Sequence, residues 1–193
     1  LEDDIINRGS KGGDNAINFL KSVRNMLAGS GKGTNMTVKW DGAPAIICGV
    51  NPENGKFFVG TKSVFNKTPK INYTTSDIRR NHDGVVAKKL QVCLNNLSRL
   101  NIKGILQGDL LFTDDLKSIN IDGEKMISFT PNTITYAVPI NSDIGKRIAR
   151  AKMGIVFHTS YSGKTMDKLS ASFGTVRGLS LIHISEPTRP VTI

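Results

Sequence analysis

Short apolar segments separated by turn sequences determine most of what this chain can fold into. Residues 45–50 form an apolar run, Asn51-Pro52-Glu53-Asn54-Gly55 is rich in turn-forming residues, and residues 57–61 continue the apolar pattern. Two such runs joined by a short turn are expected to pair as antiparallel strands. Apolar alternation predicts further strands at residues 36–40, 105–112, 126–129, 133–138 and 155–159.

Helical periodicity occurs in three other places. Asp14 is a candidate N-cap for a helix whose apolar face includes Ile17 and Leu20, and Gly29 is its expected stop. Residues 84–100 and the basic residues 143–151 predict two more helices. Since strands and helices do not alternate regularly, we expect an α+β fold with largely antiparallel sheets and flanking helices.

The composition predicts a soluble globular chain. Its 193 residues suit one domain, or one domain and part of another. No apolar stretch approaches the roughly 18 residues that a membrane-spanning helix needs, so no membrane partner is expected. The formal net charge of +10 favours nucleic acid or nucleotide phosphates as partners. The basic residues are scattered, however, and ordinary solvated faces would account for them equally well.

Features of the cysteines and of the N-terminus bear on the compartment and on the extent of the chain. Cys48 and Cys93 have no CxxC spacing, so we expect reduced, structural thiols and a cytoplasmic protein. The chain begins Leu1-Glu2-Asp3-Asp4, with no initiator Met and no signal peptide. We therefore expect residues of the natural N-terminus to be missing. The oligomeric state cannot be read from the sequence.

The C-terminal segment resembles translated sequencing adapter. Leu179 to Arg189 reads Leu-Ser-Leu-Ile-His-Ile-Ser-Glu-Pro-Thr-Arg, which is similar to one reading frame of a transposase-type library adapter. We therefore expect a natural domain at residues 1–178, incomplete at its C-terminal end, and a foreign tail at residues 179–193 in a metagenomic gene fragment. A natural β-strand at residues 179–184 is the alternative, and His183 is not a candidate site residue.

A first possible phosphate site is the glycine-rich segment Gly29-Ser30-Gly31-Lys32-Gly33-Thr34. A phosphate-binding P-loop has a glycine four residues before the Gly-Lys pair and Ser or Thr directly after it. Here Met26 and Gly33 occupy those positions, and the segment leads from a helix into a strand. We interpret it as a connector.

A second candidate is the segment Lys39-Trp40-Asp41-Gly42, in which a lysine at the end of an apolar strand precedes an Asp-Gly turn. If the apolar neighbours Val38 and Trp40 desolvate the lysine, its amine is more available as a nucleophile. The alternative is an ordinary hairpin in which Lys39 is a surface charge.

Lys39-Trp40-Asp41-Gly42 resembles the Lys-x-Asp-Gly motif of the covalent nucleotidyltransferases, which comprise DNA ligases, RNA ligases and mRNA capping enzymes. The resemblance implies that Lys39 attacks the α-phosphate of ATP or GTP, forms a lysyl-nucleotide and releases pyrophosphate. Asp41 and Gly42 match the rest of the motif and are implied to contact the nucleotide. Pro44 stands where a basic residue is common in the family.

Two further segments are similar to that family in order and distance. Phe58-Val59-Gly60-Thr61-Lys62-Ser63 resembles the strand after the nucleophile, with Lys62 as the phosphate contact. Ile105-Leu106-Gln107-Gly108-Asp109-Leu110-Leu111 resembles an apolar-Gly-Glu-apolar strand, with Asp109 in place of the carboxylate that serves the ribose or the metal. The resemblance thus implies ATP and Mg²⁺ as cofactors, with Asp109 as the metal contact.

Other matches are partial. Tyr136 is a candidate for the aromatic residue that stacks near the base, and a core tyrosine is the alternative. Met153-Gly154-Ile155-Val156 resembles the family's Glu-Gly-apolar-Val strand, but with Met153 in place of a metal-binding Glu. No Lys-x-Lys strand follows, which is expected if it lay beyond Gly178 or if the chemistry was lost.

The remaining expectations concern two histidines and the overall resemblance of the chain. His82 is interpreted as a solvated or capping residue, and His158 as a core histidine that could alternatively face the cleft. Residues 1–178 as a whole resemble an uncharacterised protein family of tailed bacteriophages, which implies expression in a bacterial cytoplasm.

The leading hypothesis is therefore a ligase-like, ATP-dependent nucleotidyltransferase that forms lysyl-AMP at Lys39 and acts on nucleic acid. The alternatives are a non-catalytic phage protein, nucleic-acid-binding or structural, that retains the fold, and a coincidental turn in an unrelated α+β domain.

Overall fold

The structure, a computed structural model, describes residues 1–29, 41–173 and 180–181. The predicted strand at residues 36–40, including Lys39, therefore lies outside the described residues, as does most of the predicted foreign tail. The chain forms two compact units, Leu1–Lys39 and Trp40–Ile193.

The described part of the first unit is one helix, α1 (Glu2–Leu27), which is interrupted at Gly9. The interruption uses a glycine because its φ of 56° is in the left-handed region. The prediction that Asp14 begins the helix is wrong, since Asp14 lies inside α1. Glu2, Asp3 and Asp4 instead occupy its first turn, where acidic side chains favour the positive end of the helix dipole.

The second unit contains two antiparallel sheets and three helices in its described residues. The strands are β1 (Ala45–Val50), β2 (Phe57–Gly60), β3 (Ile105–Phe112), β4 (Lys117–Ile121), β5 (Glu124–Phe129), β6 (Tyr136–Pro139), β7 (Gly154–Ser162), β8 (Ser170–Phe173) and β9 (Ser180–Leu181). The helices are α2 (Thr75–Asn81), α3 (Gly84–Leu97) and α4 (Asp143–Arg150). Short 3₁₀ turns lie at Lys62–Phe65 and Met166–Lys168.

The larger sheet has the order β2-β1-β3-β7-β8, and β9 pairs with another part of β7. The smaller sheet has the order β4-β5-β6. The predicted class, α+β with largely antiparallel sheets and flanking helices, is confirmed. Among the described residues, no helix has both the length and the apolar character needed to cross a bilayer.

Strand β3 is central because its two faces contribute to different cores. On one face, Leu106 and Leu110 pack with Leu90 and Cys93 of α3. On the other face, Ile105 joins a cluster with Phe58 at one end of the sheet. Leu111 joins a separate cluster with residues of the smaller sheet at the other end. Both cysteines are free and buried, and burial raises the pKa of the Cys93 thiol to about 12.

Leu90 and Val85 on α3 provide a matched test of this packing. Leu90 is fully buried and Val85 is 67% exposed. Because Leu90→Ala removes buried methyl groups and leaves a cavity, we expect it to lower the free energy of unfolding by about 2–5 kcal/mol. Val85→Ala should change it by less than about 0.5 kcal/mol. Urea unfolding of both variants measures the difference, and equal effects would contradict the assignment of α3's buried face.

Candidate functional site

The segment Asp41–Pro44 continues β1 and lies alongside β3. The N–H of Ala43 donates to the Leu110 carbonyl at 3.1 Å, and the N–H of Leu110 donates to the Pro44 carbonyl at 3.2 Å. These two bonds continue the ladder in which Ala45 pairs with Asp109. The segment that was predicted to form an Asp-Gly turn is therefore hydrogen-bonded to the central strand of the larger sheet.

Gly42 lies directly against Asp109. A Cβ atom added at Gly42 would be 2.6 Å from the Asp109 Cβ and 2.9 Å from the Leu110 carbonyl oxygen. Both distances are too short for real contacts, so the close approach requires glycine at this position. The requirement explains in physical terms why an Asp-Gly pair suits this turn.

The carboxylate of Asp41 is held by the loop between β5 and β6. The Asn132 side-chain amide donates to both carboxylate oxygens at 3.2 Å, and the Thr133 hydroxyl donates to one of them at 3.1 Å. The backbone N–H of Asp41 donates to the Tyr136 hydroxyl at 3.0 Å. Asp41 therefore connects the larger sheet to the smaller one.

The ring and the hydroxyl of Tyr136 have different environments, the ring in a core cluster and the hydroxyl at the candidate site. Its ring stacks on Phe129, with 5.4 Å between ring centroids, and packs against the cluster that contains Leu111. Its hydroxyl reaches the backbone of Asp41. The side chain is half-buried, so it serves the core while one edge borders the candidate site.

Asp109 faces His158 across the β3–β7 pair. His158 Nε2 lies 3.6 Å from Asp109 Oδ1, and the side chains are 40% and 20% exposed, respectively. The interpretation of His158 as a core histidine is wrong. The reason is that His158 alternates with Val156, which pairs with Asp109, so the imidazole lies on the same face of the sheet as Asp109. Between Gln107 and Gly108 the ladder has a bulge, with Gly108 paired with Phe157 and Gln107 paired with Thr159, so Thr159 lies on that face as well.

Polar side chains continue along the same face of β3 and β7. His158 Nδ1 lies 2.8 Å from the hydroxyl of Thr159, which is almost completely buried. The Tyr161 hydroxyl donates to Gln107 Oε1 at 2.6 Å, and burial raises the pKa of that hydroxyl. On β3, Gln107 and Asp109 thus form a polar strip between Ile105 and Leu111, which belong to separate apolar clusters.

Lys62 is exposed and begins the 3₁₀ turn after β2. Gly60, the last residue of β2, pairs with Ile47 of β1, which in turn pairs with Gln107 of β3. The structure brings Asp41, Gly42, Asp109 and Tyr136 together, and Lys62 lies past the paired end of β2.

Two other positions from the sequence analysis have defined environments. Met153 is fully buried with the residues that pack under α3, so no carboxylate occupies the start of β7. His82 follows α2 as its C-cap and lies 3.3 Å from the Asn72 amide. Burial, with a smaller contribution from Lys70, lowers the pKa of His82.

Sequence reasoning missed Asn132 and Thr133 as members of this site, and it gave His158 only as the alternative to a core histidine. The sequence signal for His158 was its alternation with Val156, but the pairing of Val156 with Asp109 is a property of the sheet. Asn132 and Thr133 follow Ser-Phe-Thr-Pro, a turn-like sequence, and only tertiary contact reveals their partner.

The residues present fit Mg²⁺ in a limited way. Among the described residues, no group of three His, Cys, Asp or Glu side chains could hold a metal ion. Mg²⁺ at phosphate-transfer sites is commonly held by one or two carboxylates together with substrate phosphates and water. The partly exposed carboxylate of Asp109 is suited to that use.

A protein-family profile matches residues 1–183. The chain belongs to the DUF6267 family, a family of unknown function. No curated protein and no solved structure matches it. The DUF6267 match includes residues 179–183 of the predicted foreign tail, and Ser180–Leu181 pairs with β7. The boundary at residue 178 stays a prediction.

The contact between Gly42 and Asp109 can be tested in this DUF6267 chain. Because the added methyl group would meet Asp109 and the Leu110 backbone, Gly42→Ala should lower the free energy of unfolding by about 1–3 kcal/mol. Gly13→Ala is the control, since open space surrounds its added Cβ inside α1. Calorimetry or urea unfolding gives the comparison, and an unchanged stability of Gly42→Ala would contradict the close approach.

Proposed function

We propose that the chain is a ligase-like, ATP-dependent nucleotidyltransferase that forms lysyl-AMP at Lys39 and acts on nucleic acid. One observation carries the proposal: Gly42, the last residue of the Lys-x-Asp-Gly segment, lies against the strand residue Asp109. Two segments that are 67 residues apart by their numbers (109 − 42) thereby meet in one place. Their meeting supports the interpretation of both as parts of one nucleotide site.

Chain connectivity supports a role for Lys39 at this place. Lys39 precedes Asp41 by two residues, so their Cα atoms are at most about 7 Å apart, whatever the local conformation. A lysine side chain can extend a similar distance. The proposed reaction requires the Lys39 amine to reach a phosphate bound beside Asp109.

The proposed step is an in-line displacement. The neutral amine of Lys39 attacks the α-phosphorus of ATP, a P–N bond forms, and the bond from the α-phosphorus to the bridging oxygen breaks. Pyrophosphate leaves with the bonding electrons, and the amine loses a proton. AMP is then transferred to a terminal phosphate of nucleic acid. Bound Mg²⁺ would offset phosphate charge in this site.

The other side chains have positioning roles in this proposal. Asp109 would hold the ribose or the metal ion, and Lys62 would approach the phosphates from the margin of the sheet. The bonds from Asn132 and Thr133 keep Asp41 in one orientation, which fixes the turn that follows Lys39. Tyr136 would offer an aromatic edge to the base.

The net charge of +10 supports nucleic acid as the acceptor. Helix α4 carries Lys146, Arg147 and Arg150 within eight residues, and Lys152 follows directly. A bacteriophage gene product acting in the bacterial cytoplasm would meet ATP, Mg²⁺ and broken nucleic acid together.

A non-catalytic phage protein that retains the fold, whether nucleic-acid-binding or structural, is the second candidate. The fully buried Met153 and the uncharged Pro44 favour it, because each stands where the resembling family has a charged side chain. In that case, polyanion binding would persist without covalent chemistry.

Covalent labelling separates the two candidates. The longest natural protein that contains residues 1–178 is incubated with α-³²P-ATP and Mg²⁺, and label that survives denaturing electrophoresis is counted. We expect a labelled band that Lys39→Ala abolishes and that Lys32→Ala, a lysine variant in the preceding glycine-rich segment, leaves intact. A band of equal intensity in Lys39→Ala, or no band in the unmodified protein, would refute the catalytic proposal.

Nucleic-acid binding gives an independent prediction. Affinity for nicked duplex DNA should fall by at least about tenfold between 50 and 200 mM NaCl, because phosphate contacts release counterions. Lys146→Glu should weaken binding further at low salt if α4 faces the DNA. Fluorescence anisotropy measures both effects. A salt-independent affinity would contradict a role for the positive charge.

A further inference from the structure

The contact between Asp109 and His158 is too long for a direct hydrogen bond. Nε2 of the imidazole and Oδ1 of the carboxylate are 3.6 Å apart, beyond the usual limit for a donor and an acceptor. Both atoms nevertheless face each other on a partly exposed surface of the larger sheet. An ion bound to both atoms would lie to one side of the line that joins them.

The tautomer of His158 decides what it presents to Asp109, because the Thr159 hydroxyl can accept a hydrogen bond from Nδ1 or donate one to it. In the tautomer in which Nδ1 carries the proton, Nδ1 donates to the Thr159 hydroxyl at 2.8 Å. Nε2 then directs a lone pair towards the carboxylate. A lone pair and an anion repel each other, whereas a cation between them satisfies both. A hydrogen bond at the far ring nitrogen is also the usual arrangement of a metal-binding histidine.

We propose that Asp109 and His158 together bind a divalent metal ion and that the imidazole makes the site prefer Mn²⁺ or Co²⁺ to Mg²⁺. The inference rests on the proposed function for the phosphate oxygens that complete the coordination when a nucleotide is bound. Its distinct content is the second ligand, His158, and the ion preference that a nitrogen ligand brings.

The distance is compatible with two ligands of one ion. Bonds of about 2.1 Å place two neighbouring ligand atoms roughly 3.0 Å apart in octahedral geometry and roughly 3.5 Å apart in tetrahedral geometry. The observed 3.6 Å is within a few tenths of an ångström of the upper value. A small rotation of either side chain would bring both atoms into range.

The two proposed ligands lie on two paired strands, Asp109 on β3 and His158 on β7. Asp109 pairs with Val156 in the ladder, and His158 lies between Phe157 and Thr159, which are both paired, so paired residues flank each ligand. Since 40% of the His158 side chain is exposed, water or substrate oxygens can fill the remaining positions. Two protein ligands bind an ion weakly, and nucleotide phosphates would strengthen the binding.

Electron paramagnetic resonance of Mn²⁺ tests the inference without any assay of activity. The six-line signal of free Mn²⁺ is titrated with the protein to measure binding, and pulsed spectra report nitrogen coordinated to the ion. We expect nitrogen modulation in the unmodified protein and its loss in His158→Gln. The same variant should bind Mn²⁺ at least about tenfold more weakly and show less preference over Mg²⁺.

Control variants make each result decisive. His82→Gln, which removes another described histidine, should retain the nitrogen signal, and Asp109→Asn should weaken binding as His158→Gln does. Circular dichroism verifies that the variants fold, and His158→Asn provides a second replacement. Unchanged Mn²⁺ binding in both folded His158 variants would overturn the inference, as would the absence of nitrogen modulation in the unmodified protein.

Lys39→Ala separates this inference from the proposed function. The variant should lose covalent labelling but keep Mn²⁺ binding, because Lys39 is not a ligand of the ion. If the unmodified protein binds Mn²⁺ through His158 but is never labelled by ATP, the metal site stands and the transfer reaction fails. Labelling without any His158-dependent Mn²⁺ binding is the reverse outcome and overturns the metal site alone.

Discussion

The antiparallel pairing of β3 with β1 and β7 is the interaction on which the rest of the second unit depends. Because side chains alternate along a strand, β3 directs Leu106 and Leu110 into the core under α3 and directs Gln107 and Asp109 to the opposite face. A shift of one residue in this register would exchange the two sets and bury a carboxylate. The same pairing therefore fixes the main core and the polar strip.

Much of the second unit could be predicted from local pattern. The limits of β1 and β3 were predicted to the residue, because both strands have long apolar runs next to strong turn sequences. β4 was missed because its residues are largely exposed and lack an apolar face. β6 was placed three residues too early, since Thr133 belongs to the loop that holds Asp41.

The candidate site could be predicted from the sequence only in part, for a different reason. Asp41, Gly42 and Asp109 could be selected from their motifs, and the structure brings them together through the extension of β1 along β3. His158 was named only as the alternative to a core histidine, because its nearness to Asp109 depends on the β3–β7 pairing, in which Val156 lies opposite Asp109. No pattern within β7 alone specifies that register.

In the proposed site, the nucleophile stands next to residues that are held in place by hydrogen bonds and close packing. A nucleophile next to a turn needs its neighbours fixed, and the bonds to Asp41 together with the glycine contact at Gly42 fix them. A reaction at phosphate also needs positive charge near Asp109, which Lys39, Lys62 and a metal ion would provide. In the proposed reaction, Lys39 is the residue that receives the nucleotide.

Tandem mass spectrometry of the ATP-treated protein tests that claim most directly. Fragment ions of the peptide that spans residues 33–56 locate any added AMP to a single side chain. We expect an AMP adduct on the Lys39 amine that disappears after treatment with excess pyrophosphate, which reverses the transfer. An adduct on another lysine, or unmodified Lys39 in a protein that hydrolyses ATP, would contradict it.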